Sequence, residues 1–269
     1  MGCIKQDQLK IVVDSDLDTI YYSRCSFAKM HAEKGIQNFN FNNIKNFNFS
    51  NEKREEYKND CLSQCPPNAM TTIDFNSFVG CNFRCYHCFI EKHPINQKNI
   101  QDTFFILEKL KGNNLDNLCL DGRGEIFLLY KRLYTYLSNL SREDFKTIFF
   151  ITNGSLLTSK RICELKSLSD KTEVNYIFNV SVDGVTKTTY ESSRPGGNFE
   201  KTIKTIKELK TYFPVKITFT IKDTNVSDID NIIPFFNDMD IPESCILVNR
   251  DFFNPEYINI QRSYQDKLN

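Results

Sequence analysis

The chain predicts an α/β fold of repeated strand–helix units, and three observations carry that expectation. From about Thr71 onward, short β-rich runs alternate with longer amphipathic segments, the pattern of successive βα units. Each β-rich run closes near polar or glycine residues, where loops begin. The length, 269 residues, suits one barrel-sized domain or a core with a small appendage.

The candidate strands, in order, are Thr71–Val79, Leu115–Leu120, Thr147–Thr152, Val174–Val182, Val215–Ile221 and Cys245–Val248. Between them, the spacing of Phe199, Ile203, Ile206 and Leu209 puts apolar side chains on one face of a helix. Lys201, Lys204, Lys207 and Lys210 take another side of the same helix, and charge at that spacing reads as a solvated face. Six such units suit an open parallel sheet or a barrel equally on periodicity alone. Residues 1–70 lack the βα rhythm and read as a separate small module, which includes the Asn- and Phe-rich stretch Asn38–Asn51.

Composition narrows the function. Basic and acidic residues number 34 each, so no long-range field recruits nucleic acid or anionic lipid. Met1–Lys10 is polar, and the longest apolar runs, such as Ile126–Tyr130 and Thr147–Ile151, are too short for a signal segment or a membrane span. A cytoplasmic protein with no membrane or nucleic-acid partner is expected. Ten cysteines in a reducing compartment point to metal or redox chemistry rather than disulfides.

Three of them follow the first candidate strand in the run Gly80-Cys81-Asn82-Phe83-Arg84-Cys85-Tyr86-His87-Cys88, a C-x3-C-x2-C spacing. Three thiolates so close in sequence can wrap one corner of an iron–sulfur cube and leave its fourth iron open. Two other readings of the same residues stand beside it. One is a zinc knot completed by His87 or His93. The other is a redox pair of Cys85 and Cys88, which leaves Cys81 without a role.

The triad directly after a strand, with Asn82 and Arg84 in its first gap, resembles the radical S-adenosylmethionine (radical SAM) superfamily. That resemblance implies a partial (β/α)6 barrel over residues 71–269. It also implies a 4Fe-4S cluster on Cys81, Cys85 and Cys88, with S-adenosylmethionine chelating the open iron. Reduction then yields a 5′-deoxyadenosyl radical that takes a hydrogen atom from substrate, the electron coming from an external donor such as flavodoxin or ferredoxin. His87 stands at the family position near the adenine; read from the residues alone it is an ordinary loop histidine. Gly122-Arg123-Gly124-Glu125 is similar to the glycine-glycine-glutamate element, which would place Gly122, Gly124 and Glu125 at the cofactor's amino group. Thr152-Asn153-Gly154 looks like the family's structural turn. Ser181 and Asp183, in Ser181-Val182-Asp183-Gly184, resemble a motif of peptide-modifying members, and downstream Arg194 would take the methionyl carboxylate in a bidentate fork. Without the family, Asp183 reads equally as a cap or turn residue. Asn225 matches a further recurrent position.

In the amino-terminal module, Ile11–Tyr22 reads as two β runs about a polar turn, followed by Cys25. Ser50–Tyr57 reads as a capped helix start leading to Cys61 and Cys65. This order resembles the auxiliary-cluster fold called SPASM or twitch, which implies a second 4Fe-4S cluster on Cys25, Cys61, Cys65 and Cys3. With the Ser181–Arg194 segment, it points to a peptide or protein substrate. A sugar or other small metabolite is the alternative for an enzyme, and a non-catalytic zinc-binding interaction module is the reading from another class. Cys119, Cys163 and Cys245 are expected to be buried free thiols.

Overall fold

One nine-stranded sheet organises the computed structural model, which describes residues 8–14, 19–23, 37–38, 70–76, 80–88, 97–112, 116–120 and 124–250. Its strands are β1 (Gln8–Asp14), β2 (Thr19–Ser23), β3 (Gln37–Asn38), β4 (Met70–Asn76), β5 (Asn117–Leu120), β6 (Thr147–Thr152), β7 (Asn175–Ser181), β8 (Val215–Ile221) and β9 (Ile246–Arg250). They lie side by side in the order β3-β2-β1-β4-β5-β6-β7-β8-β9. The ladders from β4 through β9 are all parallel, as the alternation of strand and helix requires. β1 and β2 form an antiparallel hairpin, the two β runs expected there. That hairpin joins the barrel's sheet directly, because β1 pairs in parallel with β4 from Gln8↔Met70 to Asp14↔Asn76.

The helices that cross between parallel strands are α1 (Gln97–Leu110), α2 (Tyr130–Ser138), α3 (Ser159–Thr172), α4 (Lys187–Ser193), α5 (Phe199–Lys210) and α6 (Ile232–Asn237). Local chemistry starts several of them. Thr158 and Asn198 accept from the backbone of Arg161 and Lys201, and Thr186 and Thr189 form a reciprocal box at the head of α4, satisfying donors that a helix leaves unpaired. In α5 the expected faces hold: Ile206 and Leu209 are fully buried, while Lys201, Lys204 and Lys207 are exposed. Lys210 bonds instead to Asp240 and the Met239 carbonyl.

Period-two burial fixes which side of each strand faces the helices. Ile148 and Phe150 of β6, Tyr176, Phe178 and Val180 of β7, and Ile217 and Phe219 of β8 are all buried. Phe127, Phe150, Phe178 and Phe213 form a run of rings with successive centroids 5.5, 5.0 and 5.0 Å apart, joining strands to the helical layer at the separations aromatic pairs favour. The alternate residues, among them Phe149, Asn179, Ser181 and Thr218, are only partly buried. They line the opposite side, where Thr218 donates to Asn179 Oδ1 at 2.8 Å. No helix among the described residues is long and apolar enough to cross a membrane.

Candidate active site

Cys81, Cys85 and Cys88 lie on a loop beyond the carboxyl end of β4, and that loop is fastened from three directions. Gly80 bridges to Gly124, and the Glu125 N–H donates to the Gly80 carbonyl at 2.8 Å. A Cβ on Gly124 would sit 2.0 Å from that carbonyl oxygen, so only glycine permits the approach. Asn82 donates to Ser155 Oγ at 2.9 Å and accepts from Asn153 Nδ2 at 3.1 Å, tying the loop to the turn after β6. From the other side, the Arg84 N–H donates to the Pro195 carbonyl at 2.8 Å, and Gly196, at φ 95°, packs its α-carbon close to Asn82 and Phe83.

Cys81 and Cys85 are half-buried and Cys88 is exposed. Burial pushes the Cys81 and Cys85 thiols up, and the neighbouring thiols add to it; beside Cys85, Arg194 is the largest opposing influence. Metal binding reverses this preference by displacing the thiol proton. Cys81 Sγ lies 3.9 Å from Asn153 Nδ2, and Cys85 Sγ 3.8 Å from an Arg194 terminal nitrogen.

Glu125 is fully buried. Its carboxylate accepts from Thr152 Oγ1 at 2.8 and 2.9 Å, from the Asn153 N–H at 2.7 Å and from the Phe127 N–H at 3.2 Å. Burial raises its pKa, and these bonds only partly offset that. The Thr152-Asn153-Gly154 turn therefore holds this carboxylate as well as the cysteine loop.

Asp183 is the centre of a second cluster. It too is fully buried, and its Oδ2 lies 2.8 Å from Arg194 Nε, 3.2 Å from Lys222 Nζ and 3.6 Å from His87 Nε2. Its Oδ1 accepts from the Thr220 N–H at 2.7 Å. Burial alone would raise it, but Arg194, Lys222 and His87 together hold it below the usual carboxylate range. Asp183 is neither cap nor simple turn residue: α4 is capped by Thr186. Asn225, wholly buried, donates to the Asp183 and Thr220 carbonyls at 3.1 and 2.8 Å and accepts from the Lys222 N–H at 2.8 Å, bolting the loop after β8 to the end of β7. Ser181 closes β7 half-buried, on the face away from the helices.

The structure thus gathers Cys81, Cys85, Cys88, His87, Gly124, Glu125, Asp183 and Arg194 at one end of the parallel strands, where α/β folds place their sites. Gly122, Cys3, Cys25, Cys61 and Cys65 lie outside the described residues. One expectation, the burial of three lone cysteines, needs correction. Cys163 is exposed, and Cys119 and Cys245 are only half-buried; Cys119 alternates with the buried Leu118 and Leu120 of β5, and Cys163 follows the buried Ile162 of α3 on a side of the helix turned from the core. Sequence reasoning also passed over Lys222, whose only signal was a lysine directly after an apolar strand.

Among the described residues no three His, Cys, Asp or Glu side chains converge as they would on a single metal ion. Compatibility with a cluster and its amino-acid ligand rests on other features: three thiols in one loop, a Gly80–Gly124 contact that a side chain would fill, and the guanidinium of Arg194. Its Nε sits close to Asp183 but at an angle that makes no hydrogen bond, so a buried N–H is left to a further acceptor.

Comparison with known proteins bears on the same region. The sequence model of the radical SAM superfamily matches residues 75–236. The antilisterial bacteriocin subtilosin biosynthesis protein AlbA of Bacillus subtilis (strain 168) is 26% identical over 163 residues, 59% of this chain and 35% of that protein. A probable GTP 3′,8-cyclase of Methanocaldococcus jannaschii is 26% identical over 167 residues, 59% of this chain and 52% of its own. The sporulation killing factor maturation protein SkfB of Bacillus subtilis (strain 168) is 23% identical, covering 57% and 36%. The chain therefore spans about a third to a half of the length of these curated relatives. Among solved structures, native anSMEcpe with bound AdoMet aligns with a TM-score of 0.51 at 18% identity, over 68% of this chain and 52% of that one. Streptococcus suis SuiB bound to precursor peptide SuiA aligns at 0.53 and 15%, over 73% and 45%. These likenesses establish the partial parallel α/β barrel. The family match runs from the end of β4 into α6 and so takes in every described site residue; the chain belongs to the radical SAM superfamily, whose members use a 4Fe-4S cluster and S-adenosylmethionine.

Proposed function

We propose that the protein is a radical SAM enzyme that modifies a peptide or protein, with its cluster on Cys81, Cys85 and Cys88. The observation that carries this reading is the fastening of the three-cysteine loop between the Gly124-Glu125 segment and the Arg194-Pro195-Gly196 segment, at the carboxyl ends of β4, β5 and β7. When bound, the cluster and S-adenosylmethionine supply one-electron cleavage of a sulfonium for attack on an unreactive C–H bond. The chain's residues bind and orient. Glu125, held by Thr152 and Asn153, presents a fixed negative group for the cofactor's amine, Gly124 leaves the main chain bare beside it, and Gly122 would serve the same amine. Arg194 offers its unbonded N–H to the carboxylate, Asp183 holds Arg194 in place, and Ser181 and His87 border the remaining space. The residues of β6, β7 and β8 that face away from the helices, such as Asn179 and Thr218, lead towards the same end of the sheet and suit contact with substrate.

A peptide substrate is supported by two relatives named for biosynthesis of a bacteriocin and maturation of a killing factor. The relative named as a probable GTP cyclase favours a small metabolite as the second reading. A flavodoxin or ferredoxin would deliver the electron. Residues 1–70 would carry a second 4Fe-4S cluster on Cys25, Cys61, Cys65 and Cys3. A cytoplasmic location belongs to the same reading, since a reducing compartment keeps cluster-binding thiols reduced.

The test is anaerobic reconstitution, reduction and measurement of 5′-deoxyadenosine. Wild type should form it, and the variant with Cys81, Cys85 and Cys88 all replaced by Ala should not; undiminished product from that variant would sink the assignment. About four irons with matching sulfide retained in the same variant would support the second cluster, and iron near zero would remove it.

A further inference from the structure

Lys222 has no part in the cofactor contacts assigned above, yet it occupies one of the most costly positions in the site. Its side chain is 6% exposed, its Nζ is shared between Asp183 Oδ2 and His87 Nδ1, and its backbone is pinned by Asn225. Burial pulls its pKa down, with Asp183 opposing. A buried cation at such cost needs an anion, and among the described residues the local supply of carboxylates is short. Asp183 already pairs with Arg194, which is always charged, so one carboxylate faces two cations. Glu125, the other fully buried carboxylate of the site, is bonded by Thr152, Asn153 and Phe127 and is assigned above to the cofactor's amine. Asp183 with Arg194 alone would be balanced; Lys222 creates the surplus.

We propose that Lys222 is a second cationic anchor, beside Arg194, for the carboxylate of S-adenosylmethionine. The spacing suits it. Arg194 Nε and Lys222 Nζ lie 2.8 and 3.2 Å from one oxygen of Asp183, which puts them within about 6 Å of each other, a gap that a carboxylate bonded to each at about 2.8 Å spans. Arg194 in turn reaches Cys85, so the pair borders the loop on which the cofactor would sit. Glu125 faces the amine and the Arg194–Lys222 pair faces the carboxylate, matching both ends of an amino acid.

The inference rests on the proposed function, and the experiment separates the two. Cofactor affinity is measured by equilibrium dialysis on reconstituted protein, for wild type and Lys222→Met, with S-adenosylmethionine and with its decarboxylated analogue. Loss of a charge-assisted bond should weaken S-adenosylmethionine by about 10- to 100-fold and leave the analogue's affinity within about twofold. Equal weakening of both ligands, or of neither, would overturn the proposal while leaving the enzyme reading intact, since Lys222 would then serve the cluster, the fold or a substrate carboxylate. Wild type that binds neither ligand would overturn the enzyme reading and this inference with it. Iron and sulfide content check that the site has assembled. If Lys222→Met fails that check, Lys222→Gln, which keeps a donor for Asp183, takes its place; failure of both would assign Lys222 to the fold and end the proposal.

Discussion

Replacing Asp183 by Asn removes the one carboxylate on which Arg194 and Lys222 both rest, while keeping its shape. All three side chains are buried, at 0%, 7% and 6% exposure, so solvent offers the stranded cations little relief. Removing one partner from a buried pair costs about 3–5 kcal/mol. With a urea dependence of roughly 2–3 kcal/mol per molar, the unfolding midpoint of the iron-free full chain should fall by about 1–2.5 M, followed by circular dichroism under thiol reductant. Adding Lys222→Met to Asp183→Asn should recover part of the loss, because one stranded charge is removed. The pH dependence has a definite sign. Asp183 is depressed below its unfolded value of about 3.9, so its contribution is complete above that value and is lost as pH falls through the lower folded value. Wild type and variant should differ most near neutrality and converge only below about pH 4. Equal midpoints at pH 7, or a gap that closes between pH 7 and 5, would show that Asp183 is not the paired carboxylate described.

Gly124→Ala should destabilise the cysteine loop and cut iron loading severely, since its Cβ would meet a backbone oxygen at 2.0 Å that cannot turn aside; normal iron and sulfide content would refute that approach. Asn225→Ala strands two carbonyls and one N–H in a buried site and should cost about 2–4 kcal/mol in urea unfolding. By contrast Lys166→Ala, which breaks an exposed i,i+4 pair with Asp170, should change the midpoint by no more than about 0.5 kcal/mol; a larger change would mean that surface charge matters more here than burial.

The strands were legible because burial writes an alternating pattern into them. Thr147–Thr152 and Val215–Ile221 have the bounds read from the sequence. Helix α4 was not legible: Lys-Thr-Thr-Tyr-Glu-Ser-Ser has no apolar period, and it forms through the Thr186–Thr189 box and the burial of Tyr190 and Ser193. Within the site, Cys81, Cys85, Cys88 and Glu125 stood out because their motifs are short and continuous. Lys222 did not, because its significance depends on Asp183, 39 residues earlier, and on His87, 135 residues earlier. Contacts of that kind come from the order of strands in the sheet and leave no local trace.

The seven-residue ladder between β1 and β4 also sets a limit on trimming the protein. Cutting away everything before Met70 would strip β4 of its neighbour and leave a row of unanswered N–H and C=O groups along the margin of the sheet. Such a margin is a template for any passing strand, a second truncated copy included. The shortened barrel would then be lost to strand-by-strand self-association before its chemistry could be assayed, although the family signature it carries would be intact.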